Sequence, residues 1–190
     1  LHALQPEVIA AANRQSVARQ NALDAHCIRP GAAGVLMEQD TAGSNGPLVS
    51  PDMFRELSYP YLKARMQHVR ESGVQQIIFH NCGNNMPLMD MFIDAGVDCY
   101  QSLQTTAGME VGLLKQNYGE TLCFWGGVPV EVLIAGTTAE TRAAVRTAME
   151  RGAPGGGFIL GPSHSVAFGT KYDNFLAFLD EFDRLRDHYS

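Results

Sequence analysis

Residues 76–100 read QIIFHNCGNNMPLMDMFIDAGVDCY, and this stretch carries the fold in miniature. Its first part, Gln76-Ile77-Ile78-Phe79-His80, is a short apolar run that predicts a buried strand. Residues 87–95 then show helical spacing, Gly96 supplies the stop, and Val97-Asp98-Cys99-Tyr100 predicts a second strand. Upstream, 7–24 predicts a helix and Pro30-Gly31 a break. Gly34-Val35-Leu36-Met37 predicts a strand that ends in Glu38-Gln39-Asp40. Ser50 before Pro51 is a capping side chain followed by a first-turn proline, opening a helix to Glu71 that Pro60 is expected to kink and Gly73 to stop. Downstream come a helix over 109–118 stopped by Gly119, and a strand over 121–125 that runs into Gly126-Gly127. Thr137 and Glu140 then form a capping box opening a helix to Arg151, followed by a strand over 157–160 and a closing helix over 171–188. No hairpin signal of the Asn-Gly type lies between alternating runs.

Five βα units in strict alternation require a parallel sheet with right-handed crossovers. No Gly-x-Gly-x-x-Gly follows the first strand, and polar clusters sit after nearly every strand. Both features favour a TIM-type (β/α)8 barrel over a doubly wound sheet. A whole barrel needs eight strands in about 250 residues, so the 190 residues, read as a single domain over 1–190, are expected to be the C-terminal portion of one. The start at Leu1 in helix-like sequence agrees with a fragment. Five strands alone would leave two open edges, which a partner or a homo-oligomer would have to cover.

Composition excludes several classes of function. With 14 Lys and Arg against 20 Asp and Glu, the formal charge is −6, and no basic run tracks a phosphate backbone, so nucleic acid is not an expected partner. The chain has 45% hydrophobic and 18% charged residues and no apolar stretch approaching the roughly 20 residues that span a bilayer. It also lacks a basic and apolar leader, so a cytoplasmic protein with no membrane association is expected. The four cysteines, Cys27, Cys82, Cys99 and Cys123, are scattered and read as reduced thiols.

The chemistry-bearing residues gather at predicted strand ends. In His80-Asn81-Cys82-Gly83 the imidazole and thiol, two positions apart on an extended segment, project to the same side, and both suit zinc. The alternative, a packed histidine beside a small apolar thiol, stays open on spacing alone. His164, after Gly161-Pro162-Ser163, holds the equivalent place on the last strand. Glu38 and Asp40 close the first strand, where a carboxylate could position substrate, ligate metal or act as a base. Cys27, Cys99 and Cys123 suit packing, as do Met86, Met89 and Met91. Gly126-Gly127 and Gly155-Gly156-Gly157 read either as anion-holding loops or as tight corners.

Taken in order, Pro47-Leu48-Val49-Ser50-Pro51, Tyr59-Pro60-Tyr61, His80-Asn81-Cys82-Gly83-Asn84, Ala95-Gly96-Val97-Asp98, Leu122-Cys123-Phe124-Trp125-Gly126-Gly127 and Gly155-Gly156-Gly157-Phe158-Ile159-Leu160 resemble the uroporphyrinogen decarboxylase superfamily, over about residues 28–190. The resemblance implies a (β/α)8 barrel and one of two activities: cofactor-free decarboxylation of a tetrapyrrole, or methyl transfer between a corrinoid (cobalamin) and a thiol or similar acceptor. The His-x-Cys-Gly segment looks like the cobamide-dependent methyltransferase branch. There the resemblance implies zinc on His80 and Cys82, with a third ligand after the last strand, where His164 stands in place of the usual Cys. It further implies a small-molecule substrate, a corrinoid carried by a partner protein, and Glu38, Asp40, Gln101 and Gln104 as candidates for orienting substrate or corrinoid. A tetrapyrrole carboxy-lyase using Asp40 and a non-catalytic corrinoid-binding or assembly module are the competing readings.

Overall fold

The computed structural model describes residues 5–29 and 31–189; the expected break at Pro30 and the N-terminal Leu1 lie outside them. Helix α1 (Pro6–Cys27) leads to strand β1 (Gly34–Glu38). A two-stranded ribbon, β2 (Ala42–Gly43) and β3 (Gly46–Pro47), precedes helices α2 (Pro51–Leu57) and α3 (Tyr59–Glu71). Strand β4 (Gln76–His80), helix α4 (Met89–Ala95), strand β5 (Cys99–Gln101), helix α5 (Val111–Tyr118) and strand β6 (Cys123–Val128) continue the alternation. Helices α6 (Val130–Ala135) and α7 (Thr138–Gly152), strand β7 (Phe158–Pro162) and helix α8 (Tyr172–Leu185) complete it.

The five long strands form one parallel sheet in the order β1-β4-β5-β6-β7, the topology of part of a (β/α) barrel. Residues in register share a face, and alternate residues face opposite ways. Met37, Phe79, Tyr100, Phe124 and Phe158 therefore form one row toward the helices, where Phe79, Tyr100 and Phe124 are fully buried with Phe92, Leu88 and Met66. The other face carries the row Glu38, His80, Gln101, Trp125 and Ile159, and below it Leu36, Ile78, Cys99 and Cys123. A second core packs Val128, Leu133, Val145, Ala148 and Phe178 between β6, α6, α7 and α8. Glu181 of α8, buried there, accepts hydrogen bonds from Arg142 (3.1 Å) and Arg146 (2.7 Å) of α7.

Four details differ from the sequence expectations. The segment expected as one kinked helix over 51–71 is two helices broken at Ser58, because Pro60 falls in the first turn of α3, where its missing N–H is harmless. Ser50 caps α2 as expected, its hydroxyl accepting from the Met53 N–H at 3.2 Å. The ribbon β2–β3 turns at Ser44-Asn45, with Gly46, the first residue of β3, at φ +139°, although no alternating run flanks it. Strand β6 extends through Gly126 and Gly127 to Val128, so these glycines lie inside the sheet rather than in a loop, and α6 was not foreseen. The capping box of α7 is present, with Thr137 accepting from the Glu140 N–H and Glu140 accepting from Thr137. Among the described residues no helix is long and apolar enough to cross a membrane.

Candidate metal centre at the strand ends

His80 is the last residue of β4 and is buried. Its Nδ1 lies against Gln101 Oε1, its register neighbour at the end of β5. An amide oxygen only accepts, so Nδ1 carries the proton and Nε2 keeps its lone pair. That lone pair faces Cys82 Sγ at 3.3 Å. Gln101 therefore selects the tautomer in which Nε2 can bind a metal, the usual task of a group behind a metal-binding histidine.

The turn that presents Cys82 is over-determined. Asp40 Oδ1 accepts from the Cys82 N–H at 2.9 Å, and Gln104 Oε1 accepts from the Gly83 N–H at 3.0 Å. Gly83 sits at φ +83°, and a Cβ there would lie 2.5 Å from the Ala42 carbonyl oxygen and 2.7 Å from that of Gly43. Only glycine fits against the ribbon. Between His80 and Cys82, Asn81 points the other way into a buried network: its Oδ1 accepts from the Thr41 N–H (3.0 Å) and its Nδ2 donates to Thr41 Oγ1 (2.9 Å). Asn85 donates to the Cys82 carbonyl (2.8 Å) and to Tyr100 Oη (3.0 Å), and Tyr100 in turn donates to the Asn81 carbonyl (2.5 Å). A buried network with every member paired fixes one geometry.

Ser102 connects this turn to the last strand. It is fully buried at φ +83°, in contact with Cys82 Sγ (3.3 Å), and donates to the Ser163 carbonyl at 3.0 Å, one residue before His164. The His164 ring meets that of His80 edge to face, with centroids 5.5 Å apart. The ligand atoms of His80, Cys82 and His164 lie within 4.8 Å of one another. Bonds of about 2.0–2.3 Å to a tetrahedral ion require ligand separations of about 3.3–3.8 Å. The His80–Cys82 pair already meets this, and His164, exposed on its loop, has about 1 Å to travel. His164 Nδ1 accepts from the Ser165 N–H at 2.8 Å, so coordination through Nε2 would move the ring proton to Nδ1 and release that hydrogen bond.

Burial raises the Cys82 thiol above its ordinary value. The Ser102 hydrogen bond opposes this, and the charges of Asp40 and Glu38 add to it. The site thus holds a protonated thiol unless a cation is present. A cavity of about 370 Å³ opens beside it, lined by Leu36, Glu38, His80, Gln101, Trp125 and His164 among others. Trp125 forms a wall there, its indole nitrogen 2.8 Å from where a Cβ of Gly161 would stand.

The structure thus brings together His80, Cys82 and His164, puts Glu38 in the cavity wall, and turns Asp40, Gln101 and Gln104 onto the ligand-bearing turn itself. Cys27 is exposed at the end of α1, Cys99 is buried and Cys123 half-buried, and all four cysteines are free. Sequence reasoning missed Ser102, Ser163 and the Thr41–Asn81–Asn85–Tyr100 network. Ser102 carries the same signal that singled out Gln101, a polar side chain at a strand's carboxyl end. The buried asparagines carry none.

A parallel βα sheet with polar, ligand-bearing strand ends is the architecture of a barrel protein with its site at the carboxyl face. The family model described as Uroporphyrinogen decarboxylase (URO-D) matches residues 15–185, and the chain belongs to that family. Among solved structures, a methyltransferase from Methanosarcina mazei is similar to it, with a TM-score of 0.70 and 23% sequence identity over 92% of this chain and 48% of that one. The chain thus spans about half the length of that structure, and the likeness is one of fold. No curated protein matches.

Proposed function

We propose that the protein is a zinc-dependent methyltransferase moving a methyl group between a corrinoid, carried by a partner protein, and a small-molecule thiol or similar acceptor. The observation that carries this reading is the convergence of one thiol and two imidazoles, His80, Cys82 and His164, beside an open cavity. Two nitrogens and one sulfur suit zinc and leave it a fourth position. Bound there, zinc would hold an acceptor thiol as its thiolate near neutral pH.

The chain's own residues have distinct tasks in this reading. Gln101 keeps the proton on His80 Nδ1, and Asp40 and Gln104 hold the Cys82 turn by its backbone N–H groups. As a zinc ligand Cys82 would be held as its thiolate, its proton given up to solvent. Glu38, in the cavity wall, would receive the proton of the acceptor thiol, with Trp125 and Leu36 as the apolar part of that wall. The decarboxylase reading is favoured by the description of the matched family, with Asp40 as its carboxylate.

The test uses the intact protein loaded with zinc, methylcobalamin as donor probe and a simple thiol such as 2-mercaptoethanol as acceptor. The expected result is decay of the methyl–cobalt absorption with formation of the S-methyl product, both lost in Cys82→Ala. Absence of S-methyl product from a zinc-loaded protein, with carbon dioxide released from a tetrapyrrole carboxylate, would move the assignment to the decarboxylase.

A further inference from the structure

Two further thiols lie inside the sheet, away from the ligand trio. Cys99 opens β5 and Cys123 opens β6, and the two are direct register partners in a parallel pair. Register partners project to the same face. That face is the one carrying Gln101 and Trp125, so the two thiols form the rung just below the site. Neighbouring strands run about 4.8 Å apart, within the roughly 4.4–6.8 Å between Cα atoms that a disulfide tolerates. Each thiol is the strongest influence on the other's pKa, and Cys123 Sγ lies 4.0 Å from the Phe124 carbonyl oxygen. Cys99 is buried, 5% exposed, whereas Cys123 is half-buried and is the more accessible of the two.

We propose that Cys99 and Cys123 are a reversible dithiol–disulfide site, oxidised by exchange with a small-molecule disulfide. Exchange needs one reachable sulfur with thiolate character and a second close enough to resolve it. The neighbouring Cys99 thiol draws Cys123 below the usual thiol value, and the Lys115 charge helps. Cys123 and then burial raise Cys99. Cys123 is therefore the attacking sulfur. Its thiolate forms a bond to one sulfur of the reagent and expels the other half as a thiolate. Cys99 then gives up its proton and attacks Cys123 Sγ, expelling the second half. Two protein thiols are oxidised to one disulfide, and one reagent disulfide is reduced to two thiols. Cys82 takes no part, so the proposal stands apart from the metal reading.

The experiment incubates the intact, reduced protein with oxidised glutathione, then blocks remaining thiols and maps peptides after a digestion that cuts between residues 82 and 99 and again between 99 and 123. The expected product is a peptide pair joined through Cys99 and Cys123, lighter by two hydrogens than the reduced pair and released by dithiothreitol. The link should vanish in Cys123→Ser and persist in Cys82→Ser. Since Cys99→Ser alters a buried position, Cys123→Ser carries the test. A glutathione adduct that stays on Cys123 with no link, a bridge that includes Cys82, or no loss of thiols would overturn the proposal.

Discussion

Replacing Gln101 by Leu tests whether the tautomer of His80 matters. The side chain keeps nearly its volume but loses the oxygen that accepts from His80 Nδ1. Water entering from the adjoining cavity can donate as well as accept, so it does not fix the tautomer as Gln101 does. The ring is then free to carry its proton on Nε2, the atom that faces Cys82 Sγ at 3.3 Å, where it blocks coordination. Removing the group behind a metal-binding histidine typically weakens metal binding about 10–100-fold, equivalent to about 1.4–2.7 kcal/mol. Competition of the protein with a chromophoric zinc chelator measures this directly, with circular dichroism to check the fold. Gln101→Glu keeps an acceptor and should retain the affinity. An unchanged zinc affinity in a folded Gln101→Leu protein would show that Gln101 does not set the His80 tautomer.

Three further outcomes follow from the geometry. Gly83→Ala forces a Cβ into two backbone carbonyls at a positive φ, a conformation that alone costs about 1–3 kcal/mol. Urea titration should show a loss at or above the top of that range, and a loss under about 0.5 kcal/mol would contradict the turn as described. Thr137→Ala removes the cap of α7 and should lower stability by about 1 kcal/mol in the same assay, with an unchanged midpoint counting against it. For Glu181, burial raises the carboxyl pKa, but the hydrogen bonds from Arg146 and Arg142 outweigh it and leave the pKa below the ordinary carboxylate value. A depressed pKa means the stabilisation is complete above the unfolded value of about 4.3 and is lost as pH falls through the folded one. Melting temperature followed from pH 6 downward should therefore fall less steeply in Glu181→Gln than in the parent, and parallel curves would contradict the assignment.

The alternation of strand and helix was legible because buried parallel strands are continuous apolar runs. Gln76–Phe79 and 121–125 could be nothing else between helices with glycine stops. Legible for the same reason was the strand-end position of His80, Cys82 and Glu38, since polar residues directly after such runs fall at the carboxyl edge. The ribbon at 42–47 was not, because Thr41-Ala42-Gly43 and Gly46-Pro47-Leu48 lack a period of two and are held by Asn81 and Gly83 from another part of the chain. Asp40 and Gln104 read as groups aimed at a ligand, whereas each spends an oxygen on the backbone of the Cys82 turn. Such long-range hydrogen bonds have no signature in local spacing. The face shared by Cys99 and Cys123 depends on strand register, which the two separate runs do not fix.

His80, Cys82 and His164 are expected to form a zinc site. Elemental analysis of the intact protein, purified in parallel with Cys82→Ala and His164→Ala and equilibrated with zinc, tests it most directly. The parent should carry one equivalent of zinc per chain, Cys82→Ala should lose it, and His164→Ala should retain it weakly. Equal zinc in parent and Cys82→Ala, or none in the parent after equilibration, would contradict that site.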